Sequence, residues 1–401
     1  MSPNLAPTRG SLLAFVISLP VRLLKPWILV RLVRLNVSFG DSLRAPFSHL
    51  VRLEHERRYG SRKTFDIAFW RGTPPNQQLY RLWSRHLRFP PHKLHTILVK
   101  PLTVVAWYWE RSASMQQHVV DYTCAESIVS PFINSKTLSS HQLLSTAEKR
   151  DAQRCLEALG VIDAERIALI HVRNSSHDVS DNHVIDNRVC NADAKAFQGA
   201  VDHLRDLGYV VITMGNHPSS PAGLDGVVEY HRSAERTPLR DFTLGSVANL
   251  YIGTALGAPA TLAVQFRIPA LWTDQMIFDT RCPFESFEYG QAVVLLKHHF
   301  NSGKQMSLRE VMLAQLPPLD SRLRDLNVTV EDNSPVEILD GLKDLLALGR
   351  QAERWDEKRG SYQQVQFFRL FDQLVKYPRS CKVGGAIISP SFLDRHPHFL
   401  A

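Results

Sequence analysis

Apolar residues follow two different spacings along the second half of the chain, and the two spacings alternate. Short runs rich in valine and isoleucine, typical of buried strands, are separated by stretches in which apolar residues recur every three or four positions, as on one face of a helix. The strand-like runs are Arg166 to Val172, YVVITMG, GVVEYH, NLYIG, IPALW and AVVLL. This alternation predicts a parallel β-sheet covered by helices on both faces.

Three serines mark the beginnings of predicted helices. Ser145, Ser307 and Ser334 each precede a glutamate by three positions, which is the spacing of a capping box. Pro335 follows Ser334 at the first helical position, where the missing N–H of proline has no partner to lose. The helix after Ser145 is expected to end near Gly160, and it precedes the regular pattern of the second half.

The first half of the chain is less regular. The runs from Val30 to Leu35 and KTFDIAFW predict strands, and TILVK and TVVAWYW, on either side of Pro101, are further strand candidates. Because 401 residues exceed one ordinary core, two domains are expected. We predict an α/β protein with Rossmann-like domains at 28–145 and 146–330, an N-terminal segment at 1–27 and a helical C-terminal extension at 331–401.

The N-terminal segment from Ser11 to Leu35 is apolar, contains four basic residues and has no acidic residue. Pro20 interrupts it, and its uncharged run is shorter than the roughly 20 apolar residues that a transmembrane helix needs. We expect residues 1–27 to lie at a membrane interface, with leucines and Trp27 in the acyl boundary and the basic residues at anionic headgroups. The alternatives are a secretory signal and a segment that packs on the protein's own core.

Net charge points to an anionic partner, because the chain carries a formal charge of +8. No zinc-finger spacing or RNA-binding aromatic motif accompanies this charge, so nucleic acid is not the expected partner. The five cysteines form no CxxC pair, which favours a reducing compartment, the cytoplasm.

Polar or small residues follow three of the predicted strands, in the motifs HVRNSSHD, MGNHPSS and IGTALGAP. Ligands of open parallel sheets bind beyond the carboxyl ends of the strands, so these motifs are the candidate site. Arginine matches the oxygens of a diphosphate two at a time, and small residues let main-chain N–H groups approach a phosphate. The candidate donor-binding residues are His171, Arg173, Arg188, Gly215, Asn216, Gly253, Thr254, Ala255 and Gly257.

Two residues of the first motif can transfer protons. A histidine such as His177 can titrate near neutrality, and a carboxylate such as Asp178 can accept a proton from an attacking hydroxyl if its pKa is suitable. The alternative for each is an ordinary loop residue. Together with His183, His217 and Asp181 they form no compact HxxxH or DxD pattern, so no metal is expected. The sequence has no serine-hydrolase or P-loop motif and no dinucleotide-binding motif in the right context, which disfavours these classes. Two α/β halves, the second with strand ends suited to phosphate, make sugar-nucleotide chemistry a strong candidate.

Several motifs occur in a characteristic order: FGDSL, PPNQQLYRLW, ALIHVRNSS, GYVVITMGN, LYIGTALGAP, RIPALW and SLREVM. In this order the chain resembles a family of bacterial glycosyltransferases with the GT-B architecture, two Rossmann-like domains facing each other across a cleft, associated with surface polysaccharide biosynthesis. The His-x-Arg strand end is similar to that of GT-B fucosyltransferases, where the arginine binds the donor diphosphate; Arg173 is the matching residue. Leu256 departs from the family, which usually has serine before the glycine that matches Gly257.

The resemblance implies a metal-independent glycosyltransferase with no cofactor beyond its nucleoside-diphosphate sugar. The acceptor would be a glycan or a lipid-linked precursor at the inner face of the cytoplasmic membrane, held by the N-terminal half near Gly40, Asp41 and Asn76. Two alternatives stay open. One is a non-catalytic protein that binds a nucleotide-sugar or glycan and organises a membrane assembly, and the other is a nucleotide-sugar epimerase or hydrolase.

Overall fold

The structure is a computed structural model, and it divides the chain into two compact units, Met1–Phe132 and Ile133–Ala401. The residues that it describes are 16, 18–21, 23, 28–34, 63–69, 92–112, 114–115, 118–121, 144–162, 165–173, 179–180, 183–184, 191–215, 223–254, 262–263, 266, 268–276, 291–314, 316, 320–374 and 386–401.

The first unit contains a parallel sheet of three strands, β1 (Ile28–Arg34), β2 (Lys63–Phe69) and β3 (Val119–Asp121), in the order β2-β1-β3. One long helix, α1 (His92–Glu110), packs on this sheet. Among the described residues of this unit, the buried hydrophobic cluster consists of Val21, Leu32, Val105, Ala106, Trp109 and Met115. Because Val21 belongs to this cluster, part of the N-terminal segment packs on the protein's own core.

The strands predicted at TILVK and TVVAWYW are wrong, because both runs lie within α1. Leu102, Val105, Ala106 and Trp109 pack together on one side of the helix, at the i, i+3, i+4 and i+7 spacing of a helix face. Valines and aromatic residues are common in strands, and they lie on both sides of Pro101, so the sequence predicts two strands with a break between them. The structure keeps Pro101 inside the helix, so the break that it indicated does not occur.

The second unit is built on a six-stranded sheet in which every paired strand is parallel. Its strands are β4 (Ile167–His171), β7 (Val210–Thr213), β8 (Leu250–Thr254), β9 (Ala270–Gln275), β10 (Ala292–Leu296) and β14 (Ala386–Ile388), in the order β14-β10-β9-β8-β4-β7. The predicted α/β class with a parallel sheet is confirmed. GVVEYH contributes a single bridge between Val228 and Ile212 in place of a strand.

Smaller strands and the helices complete this unit. Two short strands, β5 (Val179–Ser180) and β6 (His183–Val184), pair with each other, and β11 (His298–Asn301), β12 (Lys304–Gln305) and β13 (Val328–Glu331) form an antiparallel sheet. The helices are α2 (Thr146–Ala158), α3 (Gln198–Asp206), α4 (Pro238–Thr243), α5 (Leu308–Ala314), α6 (Asp320–Asp325), α7 (Pro335–Leu348), α8 (Ala352–Arg359), α9 (Tyr362–Leu374) and α10 (Pro390–Arg395).

The predicted capping residues begin their helices as expected. Ser145 and Ser334 form complete capping boxes with Glu148 and Glu337 at the starts of α2 and α7. Helix α7 lies directly on the sheet, because a Cβ atom at Gly341 would be 3.0 Å from a Leu271 methyl group and 3.1 Å from a Leu295 methyl group. The extension that was predicted to be helical also supplies β14, the edge strand next to β10.

Candidate functional site

Two strand ends of the predicted site lie side by side. Strands β4 and β8 pair in parallel, and their register places His171 opposite Gly253. Strand β7 pairs with the other side of β4, and the N–H of Met214 donates to the carbonyl of Ile170 at 2.8 Å. The carboxyl ends of β7, β4 and β8 therefore form one continuous edge of the sheet.

Gly253 is required by a close approach of two main chains. Its φ angle of +142° is one that side-chain-bearing residues rarely adopt. A Cβ atom at this position would lie only 1.8 Å from the carbonyl oxygen of His171. Glycine thus lets the end of β8 contact the end of β4.

Arg173 leaves the sheet from a fixed main-chain position. Its N–H donates to the hydroxyl of Thr254 at 3.1 Å, and its carbonyl accepts the N–H of Ala192 at 3.0 Å. Thr254 is itself buried, and its carbonyl accepts a hydrogen bond from the Tyr251 hydroxyl at 3.2 Å. The root of the arginine side chain is therefore held between the β8 end and the segment that leads to α3.

His171 is buried at the same edge. Burial, and next to it the positive charge of Arg173, lower the pKa of His171 to about 4, although a hydrogen bond with the Thr254 main chain opposes this shift. The imidazole is therefore neutral near pH 7. Its Nδ1 atom is buried and has no hydrogen-bond partner within the described part of the chain.

Gly215 belongs to the motif MGNHPSS, at the third strand end of the predicted site. It follows β7 and is buried, with a φ angle of +135°. The preceding Thr213 side chain is held by the ring of His231, whose Nδ1 lies 2.6 Å from its hydroxyl oxygen. The structure thus brings His171, Arg173, Gly215, Gly253 and Thr254 to one edge of the sheet. The remaining predicted site residues lie outside the described residues: Gly40, Asp41, Asn76, His177, Asp178, Arg188, Asn216, Ala255 and Gly257.

A buried ionic cluster lies at the carboxyl ends of β9 and β10, the next two strands of the same edge, and the sequence motifs do not include it. Lys297 comes directly after β10, and its side chain is only 1% exposed. Its ammonium group donates to the carbonyl of Asn191 at 2.8 Å and to the carboxylate of Asp332, and it lies 3.9 Å from Oδ1 of Asp274. These partners compensate for the burial of its positive charge.

Asp274, near the end of β9, completes the cluster. Its N–H donates to Oδ1 of Asn333 at 2.7 Å, and its Oδ1 accepts the N–H of Asn333 at 2.8 Å. Its φ angle of +55° is one that aspartate and asparagine tolerate better than most residues. Burial raises the pKa of Asp274 to about 6, against the opposing effect of the Lys297 charge.

The cluster and the predicted site are joined through one short segment. Asn191 accepts from Lys297, and the next residue, Ala192, donates to the carbonyl of Arg173. The rule that located Arg173, polar residues directly after a predicted strand, would also have found Lys297 after AVVLL.

The described residues of Ile133–Ala401 define an α/β unit with an all-parallel sheet and a polar edge at its strand ends. No protein family model and no curated protein sequence matches the chain. The solved structures that it resembles include a family 9 glycosyl transferase from Veillonella parvula DSM 2008, with 11% identity and a TM-score of 0.44 over 80% of this chain and 97% of that one.

Two further solved structures are similar at the same low level. The ADP-heptose lipopolysaccharide heptosyltransferase II of E. coli is 12% identical, with a TM-score of 0.42 over 79% of this chain and 99% of that one. The spinosyn rhamnosyltransferase SpnG is 11% identical, with a TM-score of 0.32 over 92% of this chain and 100% of that one. With TM-scores below 0.5, these likenesses assign the chain neither to a family nor to an activity.

Proposed function

We propose that the chain is a glycosyltransferase that moves a sugar from a nucleoside-diphosphate donor to a glycan or lipid-linked acceptor. The unit Ile133–Ala401 would bind the donor, and the unit Met1–Phe132 the acceptor. The observation that carries this proposal is the hydrogen bond from the Arg173 N–H to the Thr254 hydroxyl. It places the root of the Arg173 side chain and a glycine-containing strand end at the same point on the carboxyl edge of a parallel sheet.

This pairing suits a diphosphate on chemical grounds. A guanidinium group can donate to two phosphate oxygens at once, and the rigid main chain beneath it limits the entropy lost on binding. The neutral His171 adds no second positive charge and can donate or accept a hydrogen bond. The segment after Thr254 would add main-chain N–H groups, as small residues there allow.

This placement supports a direct transfer of the donor sugar. An acceptor hydroxyl would attack the anomeric carbon of the donor sugar, its proton would pass to Asp178 or His177, and the bond from that carbon to the diphosphate would break. Negative charge develops on the departing diphosphate, so a fixed Arg173 stabilises the transition state more than the ground state. These groups would perform the transfer with no cofactor.

A lipid-linked acceptor at the inner face of the cytoplasmic membrane fits the N-terminal helical residues. Val21 is buried and Ser18 accepts a hydrogen bond from the Trp109 indole N–H at 2.7 Å, so one side of this helix is attached to α1. Val16, Leu19 and Leu23, at helix-face spacing, are 57%, 53% and 67% exposed. This exposed apolar side supports insertion into an anionic membrane interface.

Helix α1 exposes apolar side chains as well. Ile97, Val104 and Trp107 share one face of the helix, and the guanidinium of Arg111 lies 3.8 Å from the centre of a Trp107 ring. An aromatic ring next to a cation is typical of a membrane interface, where the ring meets acyl chains and the cation meets phosphate. Among the described residues, no helix combines the length and apolar character that crossing a bilayer requires.

Turnover assays with a panel of nucleoside-diphosphate sugars test the proposed activity. We expect one donor to bind in calorimetry and to release its nucleoside diphosphate when a glycan or lipid-linked acceptor is added. Binding without turnover would favour the nucleotide-sugar or glycan-binding alternative. Conversion of the donor with no acceptor present would favour an epimerase or hydrolase.

Vesicle sedimentation tests the membrane proposal. The double substitution Leu19→Asp and Leu23→Asp removes two exposed apolar side chains, and we expect it to weaken binding to phosphatidylglycerol vesicles by at least about tenfold. Ile162→Asp, at a residue 71% exposed in the other unit, is the matched control and should bind as the wild type does. Equal binding by both folded variants would contradict insertion of this helix.

A further inference from the structure

Three side chains from distant parts of the chain meet beside the first residue of β11. They are His298, the first residue of β11, Glu337, in the first turn of α7, and His396, the residue after α10. The Nε2 atoms of His298 and His396 lie 3.0 Å and 2.6 Å from the same carboxylate oxygen, Oε1 of Glu337. One ligand atom from each residue therefore lies within 4.8 Å of the other two.

The surrounding residues fix the direction of all three groups. The N–H and the hydroxyl of Ser334 both donate to Oε2 of Glu337 at 2.8 Å, which leaves Oε1 for the histidines. Nδ1 of His298 lies 2.9 Å from the amide nitrogen of Gln305. The ring of Phe392 stacks on His298 with centroids 5.5 Å apart, and it also contacts His396 at 4.8 Å.

Burial makes a bound cation favourable here. The side chain of Glu337 is only 4% exposed, so its negative charge is largely removed from water and faces two imidazoles. The His298 and His396 side chains are 10% and 16% exposed, so solvent still reaches the edge of the group. An ion could enter from that side and keep one water ligand.

Two imidazole nitrogens and one carboxylate oxygen are the ligand types that zinc prefers. In a tetrahedral zinc site with bonds of about 2.0–2.1 Å, ligand atoms lie ~3.4 Å apart. To reach this spacing, the distances of 3.0 Å and 2.6 Å between each nitrogen and Oε1 need to increase modestly. The two nitrogens, which lie within 4.8 Å of each other, need to approach. We propose that His298, Glu337 and His396 bind one zinc ion, with water as the fourth ligand.

Binding requires a change of tautomer. Without the ion, each Nε2–H donates to Oε1 of Glu337; with it, each Nε2 presents a lone pair to the metal and the proton moves to Nδ1. The Gln305 amide can rotate so that its oxygen accepts the N–H at Nδ1 of His298, which gives that metal ligand an outer hydrogen-bond partner.

The proposed ion has a structural role and is independent of the glycosyltransferase proposal. His396 belongs to the last segment of the chain, and zinc would attach this segment to the start of α7 and to β11. The ligands are 39 and 59 positions apart along the sequence, so the ion would link segments that only tertiary structure brings together. Zinc that binds only the folded state raises stability by mass action.

Zinc titration of the full chain after removal of metal by a chelator tests the site. We expect one ion to bind with an increase in Tm. Loss of a residue that merely supports a zinc ligand weakens binding ~10–100-fold, so His396→Ala, which removes a ligand, should weaken it by more than about 100-fold. His203→Ala removes a histidine of α3 that does not belong to this group and should bind zinc as the wild type does.

X-ray absorption spectroscopy of the zinc-loaded wild type gives a test that needs no variant. We expect two imidazole nitrogens and light oxygen ligands in a four-coordinate shell at about 2.0 Å. No zinc binding by the wild type, undiminished binding by His396→Ala, or a shell without two imidazoles would overturn the proposal. In those cases the three residues form a hydrogen-bonded group only.

Discussion

The main-chain N–H of Arg173 donates a hydrogen bond to the side-chain hydroxyl of Thr254 at 3.1 Å. The two residues follow neighbouring parallel strands and are 81 positions apart in the sequence. A single buried hydroxyl therefore couples the position of the proposed diphosphate-binding cation to the strand end that carries Gly253.

Replacing Thr254 by valine tests this coupling. Valine keeps the shape of threonine but leaves the Arg173 N–H without its acceptor, so we expect a loss of about 1–2 kcal/mol in the free energy of unfolding. Nucleoside-diphosphate binding should weaken as well, because the root of Arg173 is then less fixed. Urea denaturation and calorimetry measure the two effects. Thr254→Ser retains the hydroxyl and is the control; equal behaviour of both variants would show that the hydrogen bond is unimportant.

Gly253→Ala tests the contact between the ends of β8 and β4. The added Cβ would lie 1.8 Å from the His171 carbonyl oxygen, so one strand must move, and we expect a loss of about 3 kcal/mol or more in stability. Gly199→Ala is the matched control. Gly199 lies in α3 with no atom within 4 Å of the added Cβ, so the change there should be neutral or stabilising by up to about 1 kcal/mol. Similar stability of the two variants would contradict this close approach.

Asp274→Asn tests the buried cluster through pH. Burial raises the pKa of this carboxyl to about 6, so between about pH 4 and pH 6 the folded state holds its proton more tightly than the unfolded state does. The contribution of Asp274 to stability therefore falls as pH rises through this window, by about 3 kcal/mol in total. Asparagine fits the positive φ angle and does not titrate.

The measurement is the free energy of unfolding of wild type and variant at several pH values. The stability of the wild type relative to Asp274→Asn should decrease as pH rises from about 4 to 6. A difference that stays constant or increases with pH would contradict the raised pKa of Asp274.

The sequence was sufficient to predict five of the six strands of the parallel sheet in the second unit, all but β14, because buried parallel strands read as short apolar runs bounded by polar residues. Arg166 to Val172 and NLYIG became β4 and β8, and Ser145 and Ser334 cap their helices by local side-chain contacts. These strands and helix caps depend on residues that are close together in the sequence, so the local pattern of residues was enough to predict them.

Features that depend on distant contacts were not predictable in this way. The sequence predicts strands within α1 because its valines and tryptophans have strand propensity. Packing on Leu32 and Val21 favours the helical spacing of its apolar residues instead. The buried cluster of Lys297 and Asp274 forms through hydrogen bonds with Asp332 and Asn333, which are more than 30 positions away in the sequence. His298, Glu337 and His396 show no spacing motif for the same reason.

Calorimetric binding of a nucleoside diphosphate and of the matching nucleoside, to wild type and Arg173→Ala, most directly tests the role of Arg173. Hydrogen bonds to charged groups contribute about 1.5–3 kcal/mol, so we expect the variant to bind the diphosphate ~10–100-fold more weakly and the nucleoside unchanged. Arg154→Ala, which removes an exposed arginine of α2, should leave both affinities unchanged. A folded Arg173→Ala protein that binds the diphosphate as tightly as the wild type would contradict the assignment of Arg173 to the donor diphosphate.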